Sequence, residues 1–311
     1  MAFSTELLKM EFKSLNGVAT RVDNVDIVDL SQNDADLIKQ TLQKDLIVVL
    51  KNQNRLPYHF VNFVEKIGTV ANYRQFIYTK EGEFYMDKTP PNTNQWKKEK
   101  ELYPIQRTTA KKNKKGITTG IFSSGILDWH ANLNGLDRAD GVALQGYEGC
   151  ENTSTSYLNT SLAYNDLEED FKKQLEGVHC EYEYTPEVWA KGLPETQYKM
   201  MKKDGQEGPY KMWLLQQNIA GVKGIYFYTN NKCKIITEDH TLFQRLYDHV
   251  FQEKYIYQHW YEPGDIVLMD QLLTLHKRDQ NDPDILAKRV LHRITFRISN
   301  YNNFIADNNK I

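Results

Sequence analysis

From residue 129 onward the chain is cut into short runs of strand length and strand period, and nothing else constrains its fold as strongly. The first two runs are residues 141–147 and 153–158, and others lie at 177–184, 210–217, 224–230, 255–261, 265–269 and 289–298. Helical spacing interrupts them at about 166–176 and 239–252, where Leu242, Leu246, Val250 and Phe251 recur on one face. A short strand buries its apolar face only against another layer, so many strands with few helices call for two facing sheets. The expected fold is mainly β with flanking helices, an α+β chain around a double-stranded β-helix (jelly roll) that houses a small site in its mouth.

The N-terminal third mixes both periods. Residues 11–29 alternate loosely and end in Val25-Asp26-Ile27-Val28-Asp29, a strand between turn residues. Ser31 with Asp34 makes a capping start for a helix through about Lys44, with Leu37, Ile38, Thr41 and Leu42 on one face. Leu46-Ile47-Val48-Val49-Leu50 is wholly apolar and predicts a buried strand. Pro57 suits the first turn of a helix over 58–67 that turns Phe60, Phe63, Val64 and Ile67 inward. Residues 70–126 lack sustained periodicity and are broken by Pro90-Pro91, which predicts a lid or insert within one domain spanning residues 1–311. The lysines of 111–116 read as a solvated loop.

Composition narrows the function classes. A formal charge of −2 and 26% charged residues give no global basic surface, so nucleic acid is disfavoured as a partner. No apolar run approaches the ~20 residues of a membrane span. Cys150, Cys180 and Cys233 are odd in number and far apart, which fits a reducing compartment, and Met1–Glu6 carries no basic region leading into an apolar run. The expectation is a cytoplasmic protein, with self-association left open.

Two histidines carry the chemistry. His130 stands in Asp128-Trp129-His130-Ala131-Asn132, and His276 follows the turn and buried run Pro263 to Asp270. In an extended segment His130 and Asn132 point to one side. Two histidines and an oxygen ligand with open positions is the arrangement of non-haem Fe(II) oxygenases. Position 132, however, holds a neutral amide where such a site wants a carboxylate. Asp128, Asp137 and Asp140 lie close in sequence. Taken singly, a histidine is more often a core or surface residue than a ligand.

The surrounding words lift both above that level. Trp129-His130-Ala131-Asn132, Thr155, Ala163-Tyr164, Pro263-Gly264-Asp265, His276 and Arg289-Val290-Leu291-His292-Arg293 occur in a family order. The chain resembles the TauD/TfdA family of Fe(II)- and 2-oxoglutarate-dependent dioxygenases, over nearly all its length except about 70–126. The resemblance implies that His130, Asn132 and His276 occupy the metal and catalytic positions. It implies that Arg293 and Thr155 hold the distal carboxylate of 2-oxoglutarate, with Arg289 a second arginine of the same strand. It assigns Asp270 and Gln271 to shaping a turn; Asn159 is expected, from its place in the chain, to face the cavity. The implied reaction consumes O2 and 2-oxoglutarate, releases succinate and CO2, and hydroxylates an unactivated carbon of a small substrate. The family motif is His-x-Asp. Asn132 leaves four alternatives open: a dioxygenase with a weakened or compensated triad, a radical halogenase-like variant, a non-catalytic binding protein on the same fold, or an artefactual or engineered residue.

Overall fold

The computed structural model describes residues 9–70, 76–79, 84–86, 102–112, 114, 116, 119–120, 127–131, 139–183, 210–227 and 232–298. Two sheets organise them. In the eight-stranded sheet the order runs Glu11–Leu15, Ala19–Asp23, Ile47–Leu50, Ile266–Asp270, Gly141–Glu148, Val290–Arg297, with Thr69–Val70 and Gln106–Thr109 both pairing with Val290–Arg297. The four-stranded sheet runs Ile256–Trp260, Ser154–Asn159, Thr274–Arg278, Leu127–His130. Ala19–Asp23 pairs in parallel with Ile47–Leu50, which requires a crossover, and the helix Gln32–Asp45 supplies it.

Strand alternation assigns the layers. Ile47, Val49, Val142, Leu144, Val267, Met269 and Leu291 meet Tyr157 and Tyr261 between the sheets. Their neighbours Val48, Leu50, Ala143, Leu268, Ile294 and Phe296 face outward onto Ile38, Leu42, Phe60, Phe63 and Val64 of the two N-terminal helices. Ile47–Leu50 is covered on both faces, which is why that run is apolar without alternation. On the far side of the smaller sheet, Leu158 and Leu275 pack with Leu242, Leu246 and Val250 of the helix Leu242–Val250. The layers therefore run helix, sheet, sheet, helix.

Most predicted elements form, with physical reasons for the departures. Ser31 caps Gln32–Asp45 by accepting from the Asp34 amide, as its sequence position suggests. The buried face of that helix is Ala35, Ile38 and Leu42, while Leu37 is 47% exposed. Leu46 is the helix C-cap, at φ 69°, so the buried strand starts one residue later. Val25 to Asp29 is a turn; the strands lie upstream, at Glu11–Leu15 and Ala19–Asp23, joined through Asn16 and Gly17 at positive φ. The helix expected at 166–176 forms as Glu169–Leu175, and a second, unforeseen helix, Thr160–Asn165, precedes it. The irregular region contributes Phe76–Thr79, Phe84–Met86, Leu102–Pro104 and Gln106–Thr109; the rest of its proposed lid lies outside the described residues. Of the lysine run, Lys111 pairs with Glu148 at 2.5 Å while Lys112 and Lys114 are exposed.

One turn ties the sandwich shut. Gly264 sits at φ +91°, and a Cβ there would come within 2.4 Å of the Asn54 backbone nitrogen. Its amide donates to Gly146 O and its carbonyl accepts from Gln53 N. The next residue, Asp265, is fully buried and accepts from Lys51 Nζ at 2.5 Å, His259 Nε2 at 3.1 Å and the Glu262 amide at 3.0 Å.

Candidate metal and oxo-acid site

His130 ends the edge strand Leu127–His130, and His276 is central in Thr274–Arg278. The two are direct register partners. Their rings lie 4.1 Å apart at 47° to each other, both buried. The Nδ1–H of His130 donates to the Asp128 carbonyl at 2.7 Å, which leaves the Nε2 lone pair available to a metal. Burial lowers the His130 pKa to about 4, helped by the charges of Arg293 and Arg278 and opposed by the Asp128 carbonyl. Burial, then His130 and Arg293, hold His276 well below its ordinary value. Both imidazoles are therefore neutral at pH 7, the protonation state a metal ligand needs.

The remaining sequence candidates are distributed unevenly. Asn132 and Asp137 lie outside the described residues. Asp128 is exposed and accepts from the Trp129 amide at 2.8 Å. Asp140 is buried and accepts from the Ile298 amide at 2.6 Å. Asp270 caps the turn before His276, accepting from the Leu272 and Leu273 amides at 2.8 and 3.0 Å. Asn159 is a helix cap rather than a cavity residue: its Oδ1 accepts from the Ser161 and Leu162 amides, and its amide donates toward Val18 O and Asp45 O. Among the described residues no group of three or more His, Cys, Asp or Glu side chains is gathered for a metal. Two neutral, buried, register-paired imidazoles fit two positions of an Fe(II) shell.

The arginines divide between two neighbourhoods. Arg293 is buried, donates through Nη1 to Gln106 Oε1, and bears electrostatically on both histidines. Arg289 is 2% exposed and lies by Tyr261, Tyr157 and Cys150. The Tyr157 and Tyr261 hydroxyls are 2.6 Å apart, and the Thr155 hydroxyl bonds to this pair. Thr155 thus shares its surroundings with Arg289. Arg278 stands opposite Thr155 across the strand pair. Sequence reasoning missed Gln106, Tyr261 and Arg278. Only Arg278 had a signal, since it follows His276 by two and so shares its face.

The model of the taurine catabolism dioxygenase TauD, TfdA family matches residues 11–295. The chain belongs to the TauD/TfdA family. This TauD/TfdA chain is 28% identical over 146 residues to an alpha-ketoglutarate-dependent 2,4-dichlorophenoxyacetate dioxygenase of Burkholderia sp. (strain RASC), covering 45% of the chain and 47% of that protein. It is 23% identical over 198 residues to pentalenolactone F synthase of Streptomyces avermitilis, covering 58% of the chain and 63% of that protein. It therefore spans about half the length of the first of these relatives and somewhat more of the second. Its fold is that of AAD-2, whose crystal structure holds Mn(II) and N-oxalylglycine, at TM-score 0.66 and 15% identity over 93% of this chain and 97% of that one. A taurine dioxygenase from Burkholderia xenovorans is similar at TM-score 0.65 and 16% identity, over 92% and 89%. Among the described residues no helix is long and apolar enough to cross a membrane.

Proposed function

We propose that the protein is an Fe(II)- and 2-oxoglutarate-dependent dioxygenase that hydroxylates an unactivated carbon of a small molecule. The observation that carries this is the register pair of His130 and His276, neutral and buried beside inward-facing arginines. Burial excludes competing protons from both imidazoles, and the Asp128 carbonyl fixes the tautomer of His130. Asn132, two residues on, is the proposed third ligand through its amide oxygen. Fe(II) held there supplies O2 activation coupled to decarboxylation of 2-oxoglutarate to succinate and CO2.

The distal carboxylate of 2-oxoglutarate is proposed to sit at Arg289 and Thr155. The support is their common neighbour Tyr261. Arg293, which bears on both histidines, is proposed to hold an acidic group nearer the metal. The test is an anaerobic titration of the protein with Fe(II) and 2-oxoglutarate, followed by admission of air. A visible charge-transfer band and then succinate are expected. No band at saturating concentrations overturns the oxygenase reading and leaves a binding protein on the same fold.

A further inference from the structure

The strand that ends in His130 carries one residue too many. His130 stands opposite His276, and Leu127 stands opposite Arg278. Direct partners share a face of a sheet, and His276 and Arg278 share one because they are two apart. Leu127 and His130 are three apart, which regular alternation would put on opposite faces. Asp128 and Trp129 therefore oppose Lys277 together, as a β-bulge in the edge strand.

Three contacts hold that bulge. The Trp129 amide donates to Asp128 Oδ1 at 2.8 Å, within the bulge itself. The Asp128 carbonyl accepts from His130 Nδ1 at 2.7 Å. In a regular strand the carbonyls lie along the ladder bonds, at right angles to the side chains, so it is the bulge that turns this one to the imidazole. Trp129 is 6% exposed, and its ring lies 4.9 Å beneath Lys277 Nζ and 5.9 Å from the Phe251 ring. We propose that the bulge aims His130 at the metal. Asp128 is the positioning residue, acting through the Trp129 amide and its own carbonyl, and Lys277 braces the same turn through the indole. This rests on the dioxygenase reading above, in which His130 is a metal ligand.

The experiment pairs calorimetric titration with Mn(II) and nitrogen NMR of the metal-free, histidine-labelled protein, which tells the two imidazole tautomers apart. The wild type is expected to hold the His130 proton on Nδ1 alone. Asp128→Ala removes the acceptor of the Trp129 amide, and should weaken Mn(II) by about tenfold and populate the Nε2–H tautomer. Asp128→Asn keeps an acceptor oxygen without the charge, so it should stay within about twofold of the wild type with a single tautomer. Lys277→Met should weaken Mn(II) by about threefold, although losing a nearby positive charge would by itself favour a cation. That variant carries the test if Asp128→Ala does not fold. An asparagine variant as weak as the alanine one overturns the proposal, because the carboxylate then acts on the metal by its charge. Unchanged affinity and tautomer in Asp128→Ala, or tighter binding by Lys277→Met, overturns it as well. A wild type that binds no Mn(II) overturns the dioxygenase reading, while the tautomer spectra still decide whether the bulge sets His130.

Discussion

Asn132 and Asp270 are the residues where one atom's chemistry decides most. An aspartate at 132 would add a full negative charge to the proposed metal shell, so Asn132→Asp should tighten Mn(II) or Fe(II) binding by roughly tenfold or more. Metal titration checks this, and unchanged affinity removes position 132 from the shell. Asp270 works through its proton. Burial raises its pKa to about 7, Asp140 adds to the rise, and Asn218 with the Leu272 and Leu273 amides opposes it. Asn218 also reaches the Gln43 carbonyl at 2.7 Å, so this acid joins the first helix to the turn before His276. Between the ordinary value of 3.8 and about 7 the folded state keeps a proton that the unfolded state has released. Stability from this group is therefore fully present below pH 3.8 and falls as pH rises toward 7, by on the order of 4 kcal/mol at most. Asp270→Asn should remove that slope, seen as a smaller fall in urea midpoint between pH 5 and pH 7.5 than in the wild type.

At the scale of elements, the first helix separates periodicity from packing. Leu37 and Ile38 adjoin in sequence and both suit an apolar stripe, yet Ile38 is buried and Leu37 is not. Ile38→Ala should cost about 2–5 kcal/mol and Leu37→Ala within about 0.5 kcal/mol, by denaturant unfolding. The Pro263 to Asp265 turn is the second such element. Gly264→Ala meets both a left-handed backbone and the Asn54 nitrogen, so a loss of about 2 kcal/mol or more is expected in the same assay. The edge strand Leu127–His130 is the third. Among the described residues it pairs on one side only, through a ladder whose register shifts between His276 and Arg278. Mn(II) with N-oxalylglycine should tie its histidine to the neighbouring strand and slow amide exchange over 127–131. The central strand Gly141–Glu148 should change little, and equal protection of both would argue against a metal bridge at His130.

For the molecule as a whole, the sandwich is what turns separated residues into a site. Thr155 and His276 come from the smaller sheet and Arg289 and Arg293 from the region of the last strand, more than a hundred positions after Thr155 in the chain. The alternation in Ser154–Asn159 and Thr274–Arg278 was legible in residue types, as were the double-covered run before Leu50 and the cap at Ser31. The sequence words around His130 and His276 also pointed to the family that the match over residues 11–295 supports. What residue order could not supply was register. Gln106 sits in a stretch without periodicity, and only its pairing opposite Arg293 brings it to the site. Arg278 carries a hint in its spacing, but its place opposite Thr155 comes from the pairing of two strands. The sequence by itself determined the β-rich class and most element positions, because periodicity and caps are local. The tertiary structure alone decided which arginine shares its surroundings with Thr155 and which turns of the first helix are buried. Those choices depend on contacts between strands and layers, whose energies reside in no single segment.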